Sequence, residues 1–281
     1  MHELNFVDKN FDLKLATEYH ISIQVSLDGF SFCILATRRS EYLYFKHIPL
    51  IVGKPQFLPQ KIESVFAEEE VLGSFFKSVS ITYSTNKATL IPKGYAEPQY
   101  LSGFAEFTNE INRGEEISVC NITGFPYQLV YSYPRELMTV LTRKFTDFRI
   151  SHKAVPVILT GAQQRNARKS TIVVNFEKKY IRMVVLKGND ISLFNSFYYK
   201  NEADFLYYTL NVCNNLQIDP DQDEILIGGF VADESGFVRI LKKYISNVNF
   251  LRPMPEFGYG GIFERTQKHQ FVSLFNTYSC V

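Results

Sequence analysis

A plan is written twice in this chain. Residues 21–50, ISIQVSLDGFSFCILATRRSEYLYFKHIPL, and residues 171–200, TIVVNFEKKYIRMVVLKGNDISLFNSFYYK, each read as three strands joined by short turns. In the first copy Ile21, Ile23, Val25 and Leu27 alternate with mostly polar residues, and Phe30, Phe32 and Ile34 resume the alternation. The intervening Asp28-Gly29 step is a strong hairpin signal, because both residues tolerate positive φ. In the second copy Ile172, Val174 and Phe176 precede the turn EKK, and Ile181, Met183 and Val185 come after it. Period-two alternation predicts strands buried on one face. A repeat of this length constrains the fold more than any single motif, since each copy is a supersecondary unit that needs its own core.

The segments after the two meanders also correspond. NEADFLYYTLNVCNNLQ predicts a helix with Asn201 as N-cap and acids in its first turn. Phe205, Thr209, Val212 and Leu216 form its inner stripe, widened by Leu206, Leu210 and Cys213. The strand ILIGGF is next, then a second amphipathic helix carrying Phe237, Ile240, Leu241, Tyr244 and Ile245. The first half has a helix at PQKIESVFAEEEVLGSFFKS, strand character in VSITYSTNKATLIP, a helix at EPQYLSGFAEFTNEIN and strands EEISVCNI and YQLVYSY. Pro134 opens a further helix, PRELMTVLTRKF, and FRISHKAVPVILTGAQQ reads as a strand region. The polar, aperiodic stretch GAQQRNARKS marks the junction of two lobes, residues 1–165 and 166–281. Its Arg165, Arg168 and Lys169 read as a solvated linker rather than a phosphate-binding run.

Composition removes several classes. With 30 Lys+Arg against 29 Asp+Glu, the net charge of +1 provides no long-range field for nucleic acid or an anionic membrane. The N-terminal MHELNFVDKNFDLK is not a signal peptide, and no apolar run approaches the roughly 20 residues that span a bilayer. Cys33, Cys120, Cys213 and Cys280 are widely spaced, which suits reduced thiols and a cytoplasmic protein. The aromatic residues, 25 Phe and 17 Tyr without Trp, fall mostly at strand positions and read as core.

The repeated plan, with the segments ISIQVSLDGFSFCIL and EADFLYYTLNVCNNLQIDPDQDEILIGGF, resembles a bacterial family of unknown function with the actin-like ATPase fold. Actin, the heat-shock chaperones, sugar kinases and pilus-assembly proteins share that fold. The resemblance implies an α/β protein with mixed sheets, built as a duplicated, ribonuclease H-like unit with two lobes around a cleft. In active relatives an Asp-x-Gly turn in each half handles phosphate and Mg²⁺, and a strand–Gly-Gly–helix motif receives adenosine.

Laid on this chain, the two Asp-x-Gly slots fall on Ser26-Leu27-Asp28 and Asn175-Phe176-Glu177, with neither the first carboxylate nor the glycine. Asp28 and Glu177 then stand at the glycine positions, where a carboxylate repels phosphate. The third motif survives as Gly228-Gly229, for which close strand–helix packing is the ligand-free explanation. Candidate nucleotide-binding residues are thus Asp28, Gly29, Glu177, Gly228 and Gly229, and no catalytic residue or metal ligand is assigned. The favoured expectation is a non-catalytic protein with a degenerate nucleotide site and no cofactor, acting by binding a protein or small ligand. The alternative is an ATPase or kinase that binds Mg-ATP through shifted motifs, with Asp28 or Glu177 on the metal. Self-association through the lobes, as in relatives that polymerise, is a third reading.

Other constellations are weaker. Asp219, Asp221 and Asp223 are spaced like half an EF-hand, but Glu224 holds the place of the required glycine, so a solvated loop is expected. His2, His20, His47, His152 and His269 have no partner at metal-ligand spacing. PMPEFGYGGIFER combines Gly258, Gly260 and Gly261 with Phe257, Tyr259 and Phe263, and reads as a loop packed between the lobes, with a partner-docking segment or lid as the alternative.

Overall fold

The strands of each meander pair in the order the repeat implies. In the computed structural model, which describes residues 2–262 and 266–280, β1 (Leu4–Val7) flanks the first meander, β2 (Tyr19–Val25), β3 (Gly29–Ala36) and β4 (Glu41–Pro49). The chain continues through α1 (Leu58–Glu68), β5 (Ser78–Tyr83), β6 (Ala88–Pro92), α2 (Pro98–Thr108), β7 (Glu115–Asn121), β8 (Tyr127–Pro134) and α3 (Arg135–Lys144). β9 (Arg149–His152) and α4 (Ala154–Gln164) lead to the second meander, β10 (Thr171–Phe176), β11 (Tyr180–Lys187) and β12 (Asp190–Tyr198). It ends with α5 (Glu202–Asn215), β13 (Glu224–Gly229), α6 (Gly236–Leu241), β14 (Asn247–Phe250) and α7 (Val272–Phe275).

Two sheets carry the same topology. The first runs β1-β4-β3-β2-β5-β9 and the second β12-β11-β10-β13-β14, with a separate three-stranded sheet β6-β8-β7 under α2. In both large sheets the meander is antiparallel, and the two strands added beside it are parallel: β2 pairs with β5 and β5 with β9, as β10 pairs with β13 and β13 with β14. Parallel strands need long crossovers, which α1, α3, α5 and α6 help to provide.

The strands are more deeply buried than alternation predicts. Every residue of β2, β3 and β10 is buried. Ile21, Ile23 and Phe32 face Leu58, Ile62, Leu137 and Leu141 of α1 and α3. On the opposite face Cys33, Leu35 and Phe45 meet Phe271, Leu274 and Phe275, around α7. The "polar" positions of β2 are thus interior and bonded: His20 lies 2.7 Å from Ser78 Oγ, and Gln24 Oε1 accepts from Ser273 Oγ at 2.8 Å. The second sheet is covered by α5 and α6 on one side and by α4 on the other. The chain therefore crosses back twice, since α4 packs on the second sheet and the C-terminal α7 on the first.

Two elements differ from the sequence expectation. AVPVILTGA is not strand but the core of α4, buried almost all round, where an apolar run carries no period to identify it. Pro156 sits in its first turn, where a missing N–H is harmless. α6 is short, and Val238, Leu241 and Ile245 are the buried residues of this region, whereas Tyr244 is 52% exposed. Asn201 caps α5 as expected, its side chain accepting from Asp204 N at 2.9 Å. Asn201→Ala should lower stability by about 1 kcal/mol, read by calorimetry as a fall in Tm of roughly 2–4 °C; an unchanged Tm would make the cap dispensable.

Candidate functional site

Two turns meet where the parallel strands of both sheets end, the position at which open α/β sheets usually hold ligands. Residues 26–28 join β2 to β3, and residues 177–179 join β10 to β11. Each turn is closed by the same bond, Ser26 N–H to Gly29 O at 3.0 Å and Glu177 N–H to Tyr180 O at 2.9 Å. This sets Ser26 against Glu177 in the two repeats, and Asp28 against Lys179. The Asn175-Phe176-Glu177 slot is therefore two residues out of register with its counterpart, because Asn175 and Phe176 still belong to the β10 ladder. Glu177 stands at the first position, not the third. Alternation alone could not reveal which residue opens the turn.

The Glu177 charge is already engaged. Glu177 is 2% exposed and Lys153 1% exposed, and Lys153 Nζ lies 2.7 Å from Glu177 Oε1. Asn175 Nδ2 donates to the same oxygen at 2.8 Å, and the Lys153 ammonium also lies 5.0 Å from the Phe230 ring centroid. Lys153 is positioned by its own N–H, which donates to Tyr83 O at 2.9 Å, where β5 ends.

Beside it runs a polar seam between the sheets. Ala154 N–H donates to His152 Nδ1 at 3.0 Å, which assigns the ring proton to Nε2, and Nε2 donates to Thr85 O at 2.9 Å. Arg182, 2% exposed on β11, donates to the same Thr85 carbonyl and stacks near Phe194. Burial first, and Arg182 second, hold the His152 pKa well below its ordinary value, so the imidazole is neutral. Ser84 Oγ and Tyr180 Oη lie 3.2 Å apart, and Asn86 Nδ2 donates to Tyr198 Oη at 2.7 Å. Lys153, His152 and Arg182 have no signal in the sequence, since none lies in a motif and their partners are distant in the chain, and nothing in ILIGGF points from Phe230 to Lys153.

The three candidate glycines are explained by protein atoms. Gly29 is not at positive φ, so β2 and β3 form the expected hairpin without a tight turn centred on Asp28-Gly29. The turn has three residues, and Ser26 Oγ accepts from Asp28 N at 3.3 Å and Gly29 N at 3.0 Å, using N–H groups that a phosphate would need. A Cβ on Gly29 would stand 2.6 Å from His47 Cε1. Gly229 has φ +83°, and a Cβ there would lie 2.2 Å from Phe176 O. A Cβ on Gly228 would lie 2.9 Å from Leu251 Cδ1. The Gly229 N–H donates to His269 O at 3.0 Å.

A cleft of about 530 Å³ remains beside Phe230, lined by Asp28, His47, Lys178, Tyr199 and Gln270 among others. Burial, and after it the Glu177 charge, raises the Asp28 carboxyl above its usual range, while Lys178, Lys179 and Lys153 oppose the rise. The remaining expectations fall elsewhere. Asp219, Asp221 and Asp223 accept hydrogen bonds from Asp221 N, Ser246 Oγ and Ser170 N at 2.7–2.9 Å. Arg165 donates to Ala162 O and Gly188 O. Phe257 and Tyr259 pack on Tyr42, whereas Phe263 lies outside the described residues. All four cysteines are free, and among the described residues no cluster of three or more His, Cys, Asp or Glu could hold a metal ion.

Lys153→Met or Glu177→Leu alone should each cost about 3–5 kcal/mol, because the surviving charge is left buried and unpaired. The double variant should lose much less than the sum in urea unfolding; strict additivity would show that the pair does not interact. His20 and His47 are both held near pKa 4, chiefly by burial, against 6.5 unfolded. The unfolded chain binds those protons first, so their contribution is full above pH 6.5 and is lost as pH falls towards 4. The urea midpoint should drop across that window, and His20→Asn and His47→Asn should flatten the profile; an unaltered slope would contradict the assignment.

Comparisons with known proteins agree with this architecture. A Bacteroides thetaiotaomicron protein with an actin-like ATPase fold and unknown function superposes with a TM-score of 0.78 at 21% identity, over 86% of this chain and 93% of that one. PilM in the PilM–PilN type IV pilus biogenesis complex gives 0.60 at 10% identity, over 95% and 99%. The ethanolamine utilization protein EutJ of Carboxydothermus hydrogenoformans gives 0.52 at 10% identity, over 93% and 90%. No curated protein matches the sequence. Residues 8–248 match the family described as protein of unknown function DUF3822, so this chain, with its actin-like ATPase fold, belongs to that family.

Proposed function

We propose that this protein is a non-catalytic member of its fold, with a degenerate nucleotide site, and that it works by binding a protein partner or a small ligand. The observation that carries this reading is the buried Lys153–Glu177 pair at the meeting of the two turns. An Mg²⁺–phosphate group needs carboxylate oxygens free for the ion or its waters, and backbone N–H groups free for phosphate. Here Glu177 is neutralised by a side-chain ammonium, and Ser26 Oγ takes the N–H groups of the other turn. The glycine pair is packed against Phe176, Asn175 and Leu251. These residues do not fit Mg-ATP as they stand. The cleft beside Phe230 leaves space for a ligand, and PilM, which shares the fold, is known in a complex with PilN.

Asp28 is a carboxylate that lines the cleft and forms no ion pair among the described residues, and it supports the alternative reading of a shifted ATP site. Calorimetric titration with Mg-ATP separates the two. No binding below about 1 mM (roughly −4 kcal/mol) and no phosphate release are expected. Micromolar binding with turnover, abolished by Asp28→Ala, would establish the ATPase and end the non-catalytic reading.

A further inference from the structure

A second cavity, larger than the cleft, lies elsewhere. It lies at the opposite ends of the same parallel strands, where β5 and β9 begin, and measures about 680 Å³. Its floor is His20, buried at 2% exposure, bonded to Ser78 Oγ at 2.7 Å and Ser22 Oγ at 3.1 Å, with the Tyr278 ring 4.7 Å away. Phe75, 82% exposed, and Phe148 add aromatic surface. A concave, aromatic-lined volume of this size is in the range of small-molecule sites.

Its rim is basic. Lys77 precedes β5, Arg149 opens the neighbouring β9, and Lys144 ends α3, against a single lining acid, Asp147. In a chain whose net charge is +1, two surplus cations around one cavity are a local concentration. None of the three belongs to a salt bridge among the described residues. Lys144 has a structural use, at a helix C-terminus with its ammonium 5.5 Å from the Phe66 ring centroid, and Lys77 lies 3.4 Å from Thr37 Oγ1. Arg149 has no such partner among the described residues, and its charge is close enough to His20 to help depress the imidazole, which burial already holds neutral. The positive charge therefore sits at the rim, above a neutral hydrogen-bonding floor.

We propose that this cavity binds a small organic anion, with an aromatic or acyl body against Phe148 and Tyr278 and a phosphate or carboxylate at Arg149 and Lys77. The site is separate from the interlobe cleft, so it does not depend on whether Mg-ATP binds there. The test is titration of the full chain with 1-naphthyl phosphate, 1-naphthaleneacetate and the neutral 1-naphthalenemethanol, monitored by calorimetry at low salt. At least one anion should bind roughly tenfold or more tightly than the neutral probe, as charge-assisted bonds would give, and the better anion identifies the head group. Arg149→Gln and Lys77→Gln, both at exposed positions, should weaken that anion several-fold with Tm unchanged. Gly73→Leu, at a lining position where a Cβ meets nothing within 4 Å, should obstruct binding without unfolding the chain. The proposal is overturned if neither anion binds at 1 mM, if the neutral probe binds equally well, or if the Arg149 and Lys77 variants retain full affinity. Binding of an acidic peptide without either naphthyl anion would likewise reject it, in favour of a protein-docking surface.

Discussion

Burying an ammonium and a carboxylate together is tolerable only if each supplies the other's counter-charge. That requirement ties the two large sheets to one another in this protein. Lys153 comes from the link between the first sheet and α4, and Glu177 from the first turn of the second meander. Separating the two sheets would expose or isolate both charges, and removing one partner would strand the other in a medium that solvates it poorly. Around the pair, Arg182, His152 and the Thr85 carbonyl form a seam whose charge is confined to the guanidinium, because the imidazole is held neutral. The relation of the two sheets is thus fixed by polar groups as much as by apolar packing.

The same region shows how one sequence pattern can serve two purposes. A strand ending in Gly-Gly permits a nucleotide to lie against the backbone, and it equally permits a backbone to lie against another strand. At Gly228 and Gly229 a strand lies close: a Cβ there would meet Leu251, Asn175 and Phe176. Gly29 makes room for the His47 ring, and the Ser26 hydroxyl bonds the N–H groups of its turn.

Legibility tracks the range of the interactions. The Asn201 cap, the meander strands and the amphipathic α5 are readable because each is decided within a few residues. α4 passes for a strand because a helix buried on nearly all sides has no polar face to set its period. The turn register is hidden because Phe176 ends both the alternation and the strand, whereas the Glu177–Tyr180 bond belongs to the folded ladder. Lys153 is invisible: a lysine after a histidine is unremarkable until a carboxylate 24 positions later in the chain lies 2.7 Å away.

By itself, then, the sequence determined the two meanders and the capped helix after the second, because periodicity and capping are local physical preferences. Only the tertiary structure decided what the turns do. Whether Glu177 can serve a metal, whether a glycine is vacant or packed, and whether basic side chains gather around one cavity depend on groups brought together from distant segments. Charge and space are shared across the fold, and no local pattern records who shares them.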